Sequence, residues 1–307
     1  MLEQTPNLEI DLGFIKLKNP VIGASGTFGY GDEITDFIDP SLLGGFVTKS
    51  LSIKERSGNP PPRIYETPCG MLNAIGLENI GIKRFIDEKL PKIGSLNTAI
   101  IVSIFGEDVN EFSEAALMLK GIKEISAIEI NISCPNVKKG GMLFGIDPVI
   151  SAKITEAVLK NSDKPVIVKL TPNVTDITVI AKSVENAGAY AISLINTLTG
   201  MAIDINTKRP VLANITGGLS GPAIKPVAVY MTYKVVNSVS VPVIAGGGIM
   251  DYKDALEFLI VGAKAVQVGT ANLINPKACL SIIEGLKNYC IENGIKEISQ
   301  IIGSIKI

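Results

Sequence analysis

Ala127-Ile128-Glu129-Ile130-Asn131-Ile132-Ser133, followed at once by Cys134-Pro135-Asn136, is a short apolar run that breaks off into amides, a hydroxyl and a thiol. A run of this length and composition reads as a strand buried on both faces of a parallel sheet. Similar runs recur at Pro20–Ala24, Gly45–Lys49, Ala99–Phe105, Pro165–Leu170, Tyr190–Asn196, Val241–Gly246 and Ala265–Gly269. Amphipathic stretches lie between several of them. Val109–Leu119 and Ile177–Ala187 are examples, and Gly188 ends the second as a helix C-cap would. Eight β–α alternations in 307 residues predict an α/β protein, and a TIM (β/α)8 barrel rather than a doubly wound sheet.

Other segments exceed a minimal barrel. Leu8–Lys18 reads as an N-terminal hairpin around Gly13, placed to close the barrel floor. The connections Ser50–Asn97 and Thr197–Pro226 are too long for one helix each. The first holds Asn59-Pro60-Pro61-Pro62-Arg63 and Asn73-Ala74-Ile75-Gly76-Leu77. Insertions after strands 2, 4 and 6 are expected on the C-terminal face, where barrel active sites are built. Without a linker, repeat or low-complexity segment, residues 1–307 read as a single domain.

Bulk properties narrow the function classes. Apolar residues make up 46% and charged residues 19%, which suits a filled core, and the net charge of −1 implies no nucleic-acid or anionic-membrane partner. Met1-Leu2-Glu3-Gln4-Thr5-Pro6 lacks the basic and apolar regions of a signal peptide. No apolar run approaches the roughly 18 residues of a membrane span. Cys69, Cys134, Cys279 and Cys290 are widely spaced, with neither a C-x-x-C pair nor an iron–sulfur spacing, so a reducing, cytoplasmic compartment is expected. The chain has no histidine. Ser-His and Cys-His nucleophile pairs and His-ligated metals are thereby excluded, no metal is expected, and proton transfer falls to Cys, Asp, Glu, Lys or Tyr.

Two glycine motifs follow the last two strands: Ala245-Gly246-Gly247-Gly248-Ile249 and Val268-Gly269-Thr270. Bare backbone amides at these positions form the usual barrel phosphate site; the alternative is a pair of tight turns. Lys49 and Lys169 each end an apolar strand. A lysine there is costly unless it meets an anion, so together they suit an anionic ring or carboxylate; the alternative is snorkelling or a structural carboxylate partner. Asn73, Asn131 and Asn196-Thr197 add amides that suit a planar heterocycle with imide groups, although each asparagine alone is more often a turn or cap residue. Cys279 and Cys290 share a helical face with Ile283 and Leu286 and read as core; Cys69 reads as structural. Only Cys134 opens a glycine-containing loop, 135–145, able to close over a site, with Lys138 and Lys139 in it.

Jointly these residues resemble the dihydroorotate dehydrogenases, most closely the catalytic subunit of the class 1B, NAD+-linked enzymes. The resemblance runs from the Leu8–Lys18 hairpin to Gly269. It is most specific at Asn131-Ile132-Ser133-Cys134-Pro135-Asn136-Val137-Lys138-Lys139-Gly140-Gly141 and at Asn73-Ala74-Ile75-Gly76-Leu77-Glu78-Asn79. Membrane-associated class 2 enzymes use serine as base and carry an N-terminal extension, whereas this chain has Cys134.

The resemblance implies an FMN enzyme that oxidises (S)-dihydroorotate to orotate in pyrimidine synthesis. It implies that Cys134 takes the C5 proton while hydride leaves C6 for flavin N5. Lys49, Asn73, Ala74, Ile75, Gly76, Leu77, Asn131, Asn196 and Thr197 match substrate-binding positions, Lys49 and Asn131 also touching FMN. Ala24, Ser25, Ser50, Lys169, Ile195, Gly221, Gly247, Gly248, Gly269 and Thr270 match flavin positions. The family often has Asn near the end of strand 3; Val102-Ser103-Ile104 stands here, with Ser103 as the remaining hydrogen-bonding group. A homodimer within a heterotetramer is implied, with a partner subunit carrying FAD and a [2Fe–2S] cluster that passes electrons to NAD+. Rival readings are a class 1A-like enzyme using fumarate, another FMN barrel reducing pyrimidines or dihydrouridine (the latter disfavoured by the net charge of −1), and a non-catalytic barrel that binds a phosphorylated ligand.

Overall fold

The structure is a computed structural model that describes residues 5–133 and 144–307. Eight strands form the barrel: β1 (Val21–Gly23), β2 (Gly45–Val47), β3 (Ala99–Ile104), β4 (Ala127–Asn131), β5 (Val166–Lys169), β6 (Ala191–Leu194), β7 (Val243–Gly246) and β8 (Ala265–Val268). They pair in chain order, all parallel, and β8 closes on β1 through Val266↔Val21. The predicted TIM barrel is therefore the fold. Every residue of β1, β2, β3, β6, β7 and β8 is buried, while β4 and β5 end in half-buried Asn131 and Lys169. Aliphatic and β-branched side chains fill most of both faces; half-buried polar residues stand at the C-terminal mouth, and Ser103, Glu129, Ser193 and Gln267 are buried within the strands.

The strands are shorter than the apolar runs because the last residues of several runs leave the ladder. Lys49 lies beyond β2, and its backbone N–H donates to the Gly29 carbonyl at 2.7 Å. Several outer helices start where side chains satisfy free amides. Asp108 caps Val109–Met118, Asp147 caps Pro148–Asn161 and Asp176 caps Ile177–Asn186, and each such cap contributes about 1 kcal/mol. The third helix stops at Ala187, followed by Gly188 at φ +96°, as read from the sequence.

Ile10–Asp11 pairs with Lys16–Leu17 around Gly13 at φ +83°. Ile10, Leu12 and Leu17 are buried, and Phe14 packs edge-on against Tyr190 at 5.9 Å. Tyr190 immediately precedes β6, so the hairpin covers the N-terminal end of the barrel as expected. At the opposite end the insertions after β2 and β6 join. Leu198–Gly200, Gly217–Ser220, Gly70–Asn73 and Ile64–Thr67 form one antiparallel sheet, with Gly218 opposite Asn73. The third insertion leaves β4 at Ile132 and resumes in the turn Phe144–Ile146, so Cys134, Lys138, Lys139 and most of the 135–145 loop lie outside the described residues.

Cys69 corrects one expectation. It is exposed at the tip between Ile64–Thr67 and Gly70–Asn73, where its carbonyl accepts from Ala223 N–H at 2.8 Å and its thiol has no hydrogen-bond partner among the described residues. Cys279 and Cys290 are core residues, 0% exposed on the helix Ala278–Glu292. Burial pushes the Cys279 thiol up to about 12 despite its hydrogen bond to Asn272, and pushes Cys290 upward as well.

Candidate active site

The C-terminal mouth opens on a cavity of about 690 Å³, within the range that encloses small ligands and cofactors. The strand ends supply Ala24 and Ser25 after β1, Lys49 and Ser50 after β2, Asn131 on β4, Lys169 on β5, and Ile195, Asn196 and Thr197 after β6. The joined insertions supply a wall of Asn73, Ala74, Ile75, Gly76, Leu77 and Gly221, and the last two strands add Gly247, Gly248, Gly269 and Thr270. The residues foreseen for substrate and cofactor thus meet in one place, with two exceptions. Ser103 is fully buried and is absent from the lining; its hydroxyl lies 2.8 Å from that of Ser50, so it reaches the cavity only through Ser50. Cys134 lies outside the described residues; its neighbour Ser133 lines the cavity.

One hydrogen-bonded chain crosses the floor. Asn196 Nδ2 donates to Ser133 Oγ at 2.5 Å, Ser133 Oγ to Asn131 Oδ1 at 2.8 Å, and Asn131 Nδ2 to Ser50 Oγ at 3.0 Å. Side chains from three separated strand ends are therefore mutually oriented before any ligand arrives. On the wall, Asn73 Nδ2 donates to the Gly218 carbonyl at 3.2 Å, so an asparagine of the first insertion is held by the second. Asn173, unforeseen, also lines the cavity; it donates to the Thr197 carbonyl at 3.0 Å and accepts from Thr199 N–H at 2.9 Å.

A second chain lies deeper. Lys169 Nζ donates to Gln267 Oε1 at 2.5 Å, and Gln267 Nε2 donates to Glu129 Oε2 at 2.6 Å. Ser193 Oγ donates to the same Glu129 oxygen at 2.8 Å. Lys169 therefore turns inward rather than to solvent. Among the described residues neither Lys49 nor Lys169 forms an ion pair with a carboxylate. Glu129 and Gln267 passed as ordinary strand residues in the sequence; the available signal was a polar side chain inside an otherwise apolar run, the same signal that singled out the lysines.

The glycine motifs form a cradle. Gly248 has φ +79°, and a Cβ there would lie 2.8 Å from both the Cβ and the backbone nitrogen of Lys225, so only glycine fits the approach. Among the described residues no acceptor takes the N–H groups of Gly247, Gly248, Gly269 or Thr270. Unpaired amides at this end of a barrel suit a phosphate, and the amide- and cation-lined floor suits a planar ring bearing carbonyls and ring nitrogens. The residues present thus fit FMN, the group implied by the resemblance. Lys225 braces the cradle from behind through Asp254 at 2.7 Å and Glu257 at 2.6 Å.

Among the described residues no cluster of His, Cys, Asp and Glu could hold a metal ion, and no helix is long and apolar enough to cross a membrane.

A family model described as dihydroorotate dehydrogenase matches residues 7–290. The chain is 53% identical over 302 residues to a protein of Geotalea daltonii, covering 98% of this chain and 99% of that one. It is 55% identical over 301 residues to one of Trichlorobacter lovleyi, again covering 98% and 99%. A Thermoanaerobacter protein is 54% identical over 301 residues with the same coverage. Each of the three is named dihydroorotate dehydrogenase B (NAD(+)), catalytic subunit.

Proposed function

Because the chain belongs to the dihydroorotate dehydrogenase family, we propose that it oxidises (S)-dihydroorotate to orotate in pyrimidine synthesis, as the catalytic subunit of an NAD+-linked class 1B enzyme. The observation that carries this reading is the single cavity in which the phosphate-type glycine cradle, Lys49, Lys169 and the amide chain Asn196–Ser133–Asn131 converge. Residues 1–307 act as one FMN-binding domain in the cytoplasm.

FMN, when bound, supplies the acceptor for the hydride that leaves substrate C6. Gly247, Gly248, Gly269 and Thr270 hold its phosphate by backbone N–H groups, with Ala24, Ser25, Ser50, Ile195 and Gly221 completing the cofactor site and Ser103 acting behind Ser50. Lys169 faces the negative charge that the ring gains on reduction. Lys49 meets the substrate carboxylate. Asn73, Asn131, Asn196 and Thr197 match the donors and acceptors of its imide edge, while Ala74, Ile75, Gly76 and Leu77 wall the site. Cys134, one residue beyond Ser133, takes the C5 proton as the general base. A free thiol has a pKa of about 8.5, so the thiolate fraction, and with it the rate, rises with pH.

Anaerobic mixing of the FMN-loaded protein with dihydroorotate tests the reading directly. Bleaching of the flavin is expected; a yellow protein that stays oxidised would refute the substrate. The electron acceptor is tested separately. A partner subunit bearing FAD and a [2Fe–2S] cluster, joined to a homodimer of this chain in a heterotetramer, should confer NAD+ reduction. Turnover with fumarate by the isolated chain would instead place it with the class 1A-like enzymes.

A further inference from the structure

Glu129 has no role in the reaction just described, yet it is a buried acid at the edge of the cavity. It sits two residues before Asn131 on β4, so both side chains fall on the inner face of the barrel, Glu129 one layer lower. It is 1% exposed and still borders the cavity. Ser193 and Gln267 both donate to its Oε2, whereas Oε1 is buried with no hydrogen-bond partner among the described residues.

That geometry gives the charge state. A neutral carboxyl would have to give its own proton to the Ser193 hydroxyl, the one neighbour able to accept it among the described residues. Ser193 would then have no acceptor for its own hydrogen among the described residues, whereas a carboxylate accepts from both Ser193 and Gln267 and leaves every donor satisfied, so we take the group as a carboxylate. A buried carboxylate with only neutral donors is expensive. The compensating cation stands one group away. An ammonium only donates and a carboxylate only accepts, so Gln267 can satisfy both in one orientation alone, amide nitrogen toward Glu129 and oxygen toward Lys169. Glu129 thereby fixes the acceptor that holds Lys169 at the end of β5, and each bond of the relay polarises the next.

We propose that Glu129 is a positioning residue that acts on the flavin through Gln267 and Lys169, its negative charge offsetting part of the lysine's attraction for the reduced ring. The inference rests on the FMN reading above. Lys169 alone would stabilise the reduced, more negative ring and make it a poorer electron donor. The buried carboxylate lowers the midpoint potential and keeps those electrons transferable to the next carrier.

The test is an anaerobic redox titration of the FMN-loaded protein against a dye of known potential. Glu129→Gln, nearly isosteric and uncharged, should favour the reduced flavin at least tenfold, a rise of about 30 mV for a two-electron couple. Glu129→Asp keeps the charge and should move the potential by less than half as much. A purely structural residue would lower the melting temperature and leave the potential in place, so Glu129→Gln protein with FMN bound and an unchanged potential overturns the proposal. Should the variants fail to fold, reduction-minus-oxidation infrared spectra of the unaltered holoprotein decide it. A carboxylate stretch that shifts on flavin reduction supports the coupling; a silent carboxylate region overturns it. A wild-type chain that takes up no FMN is a different outcome, because it removes the cofactor reading and this inference with it.

Discussion

Gly218→Ala separates the role of the joined insertion sheet from that of the barrel. Gly218 lies on Gly217–Ser220, directly against Thr197, and a Cβ at this position would fall 2.0 Å from Thr197 Oγ1 and 2.6 Å from its Cβ. Ordinary contact begins at 3.4 Å, so Thr197 or the strand must withdraw by more than about 1 Å. The same residue's carbonyl accepts from Asn73, so a withdrawing strand also loosens that side chain. Overpacking of this kind costs about 1–3 kcal/mol. If the strain is taken up at Thr197 and Asn73, substrate binding weakens by roughly 5- to 150-fold, since about 1.4 kcal/mol is a factor of ten. The assay is steady-state oxidation of dihydroorotate with an artificial electron acceptor, together with FMN content by absorbance. KM should rise within that range while FMN stays bound, because the glycine cradle belongs to β7 and β8. Gly121→Ala is the control: unlike Gly218 it has a positive φ, +81°, and no atom of the described residues lies within 4 Å of the added carbon, so it should cost stability and leave KM alone. A Gly218→Ala protein with wild-type KM would refute the placement of Thr197 and Asn73 in the substrate site.

Cys134→Ala should abolish flavin reduction by dihydroorotate and leave FMN bound; fast single-turnover bleaching in that variant would remove Cys134 from its role. In the wild type the rate of the same step should climb with pH, half-maximal at the thiol's pKa, about 8.5 for a free thiol, and level off above it, as read by stopped flow at a series of pH values. Brief iodoacetamide treatment of the native protein should label Cys69 and spare Cys279 and Cys290, whose buried thiols are held protonated, as peptide mass spectrometry would show. Lys225→Met should cost about 1 kcal/mol, measured by urea unfolding. Burial pushes the Asp254 carboxyl up, but hydrogen bonds from Lys225 and from the Met250 and Asp251 amides outweigh it and hold it below its ordinary value; hydrogen bonds to Asp254 and Glu257 hold Lys225 above its own. The pair's contribution is therefore complete between about pH 4 and pH 10, fades as acid protonates Asp254 and fades again as base neutralises Lys225. An unchanged wild-type-minus-variant difference at pH 2 would contradict this.

The barrel was legible because its determinants are local. Eight apolar runs separated by amphipathic stretches need no partner to be recognised, and a parallel strand buried on both faces cannot disguise its composition. Lys49, Lys169, Asn131 and the two glycine motifs were legible for a related reason: each violates the pattern around it, a charge or an amide closing an apolar run, or a glycine where a helix should begin. Ser103 was misplaced because a hydroxyl in a strand looks the same whether it faces a cavity or lies beneath one; the bond to Ser50 depends on how β2 and β3 pack.

What the sequence by itself determined, then, is the parallel barrel, the end of it that carries chemistry, and the kinds of groups gathered there. Tertiary structure alone decided how those groups are held. The sheet joining Gly70–Asn73 to Gly217–Ser220 pairs glycine-rich strands about 145 positions apart with little intrinsic strand preference, so their pairing exists only once the barrel has brought their ends together. The Lys169–Gln267–Glu129 relay draws on β5, β8 and β4, and no local pattern relates those positions; closing the barrel places them together beneath the mouth, where an unpaired charge is costly enough to select its partner.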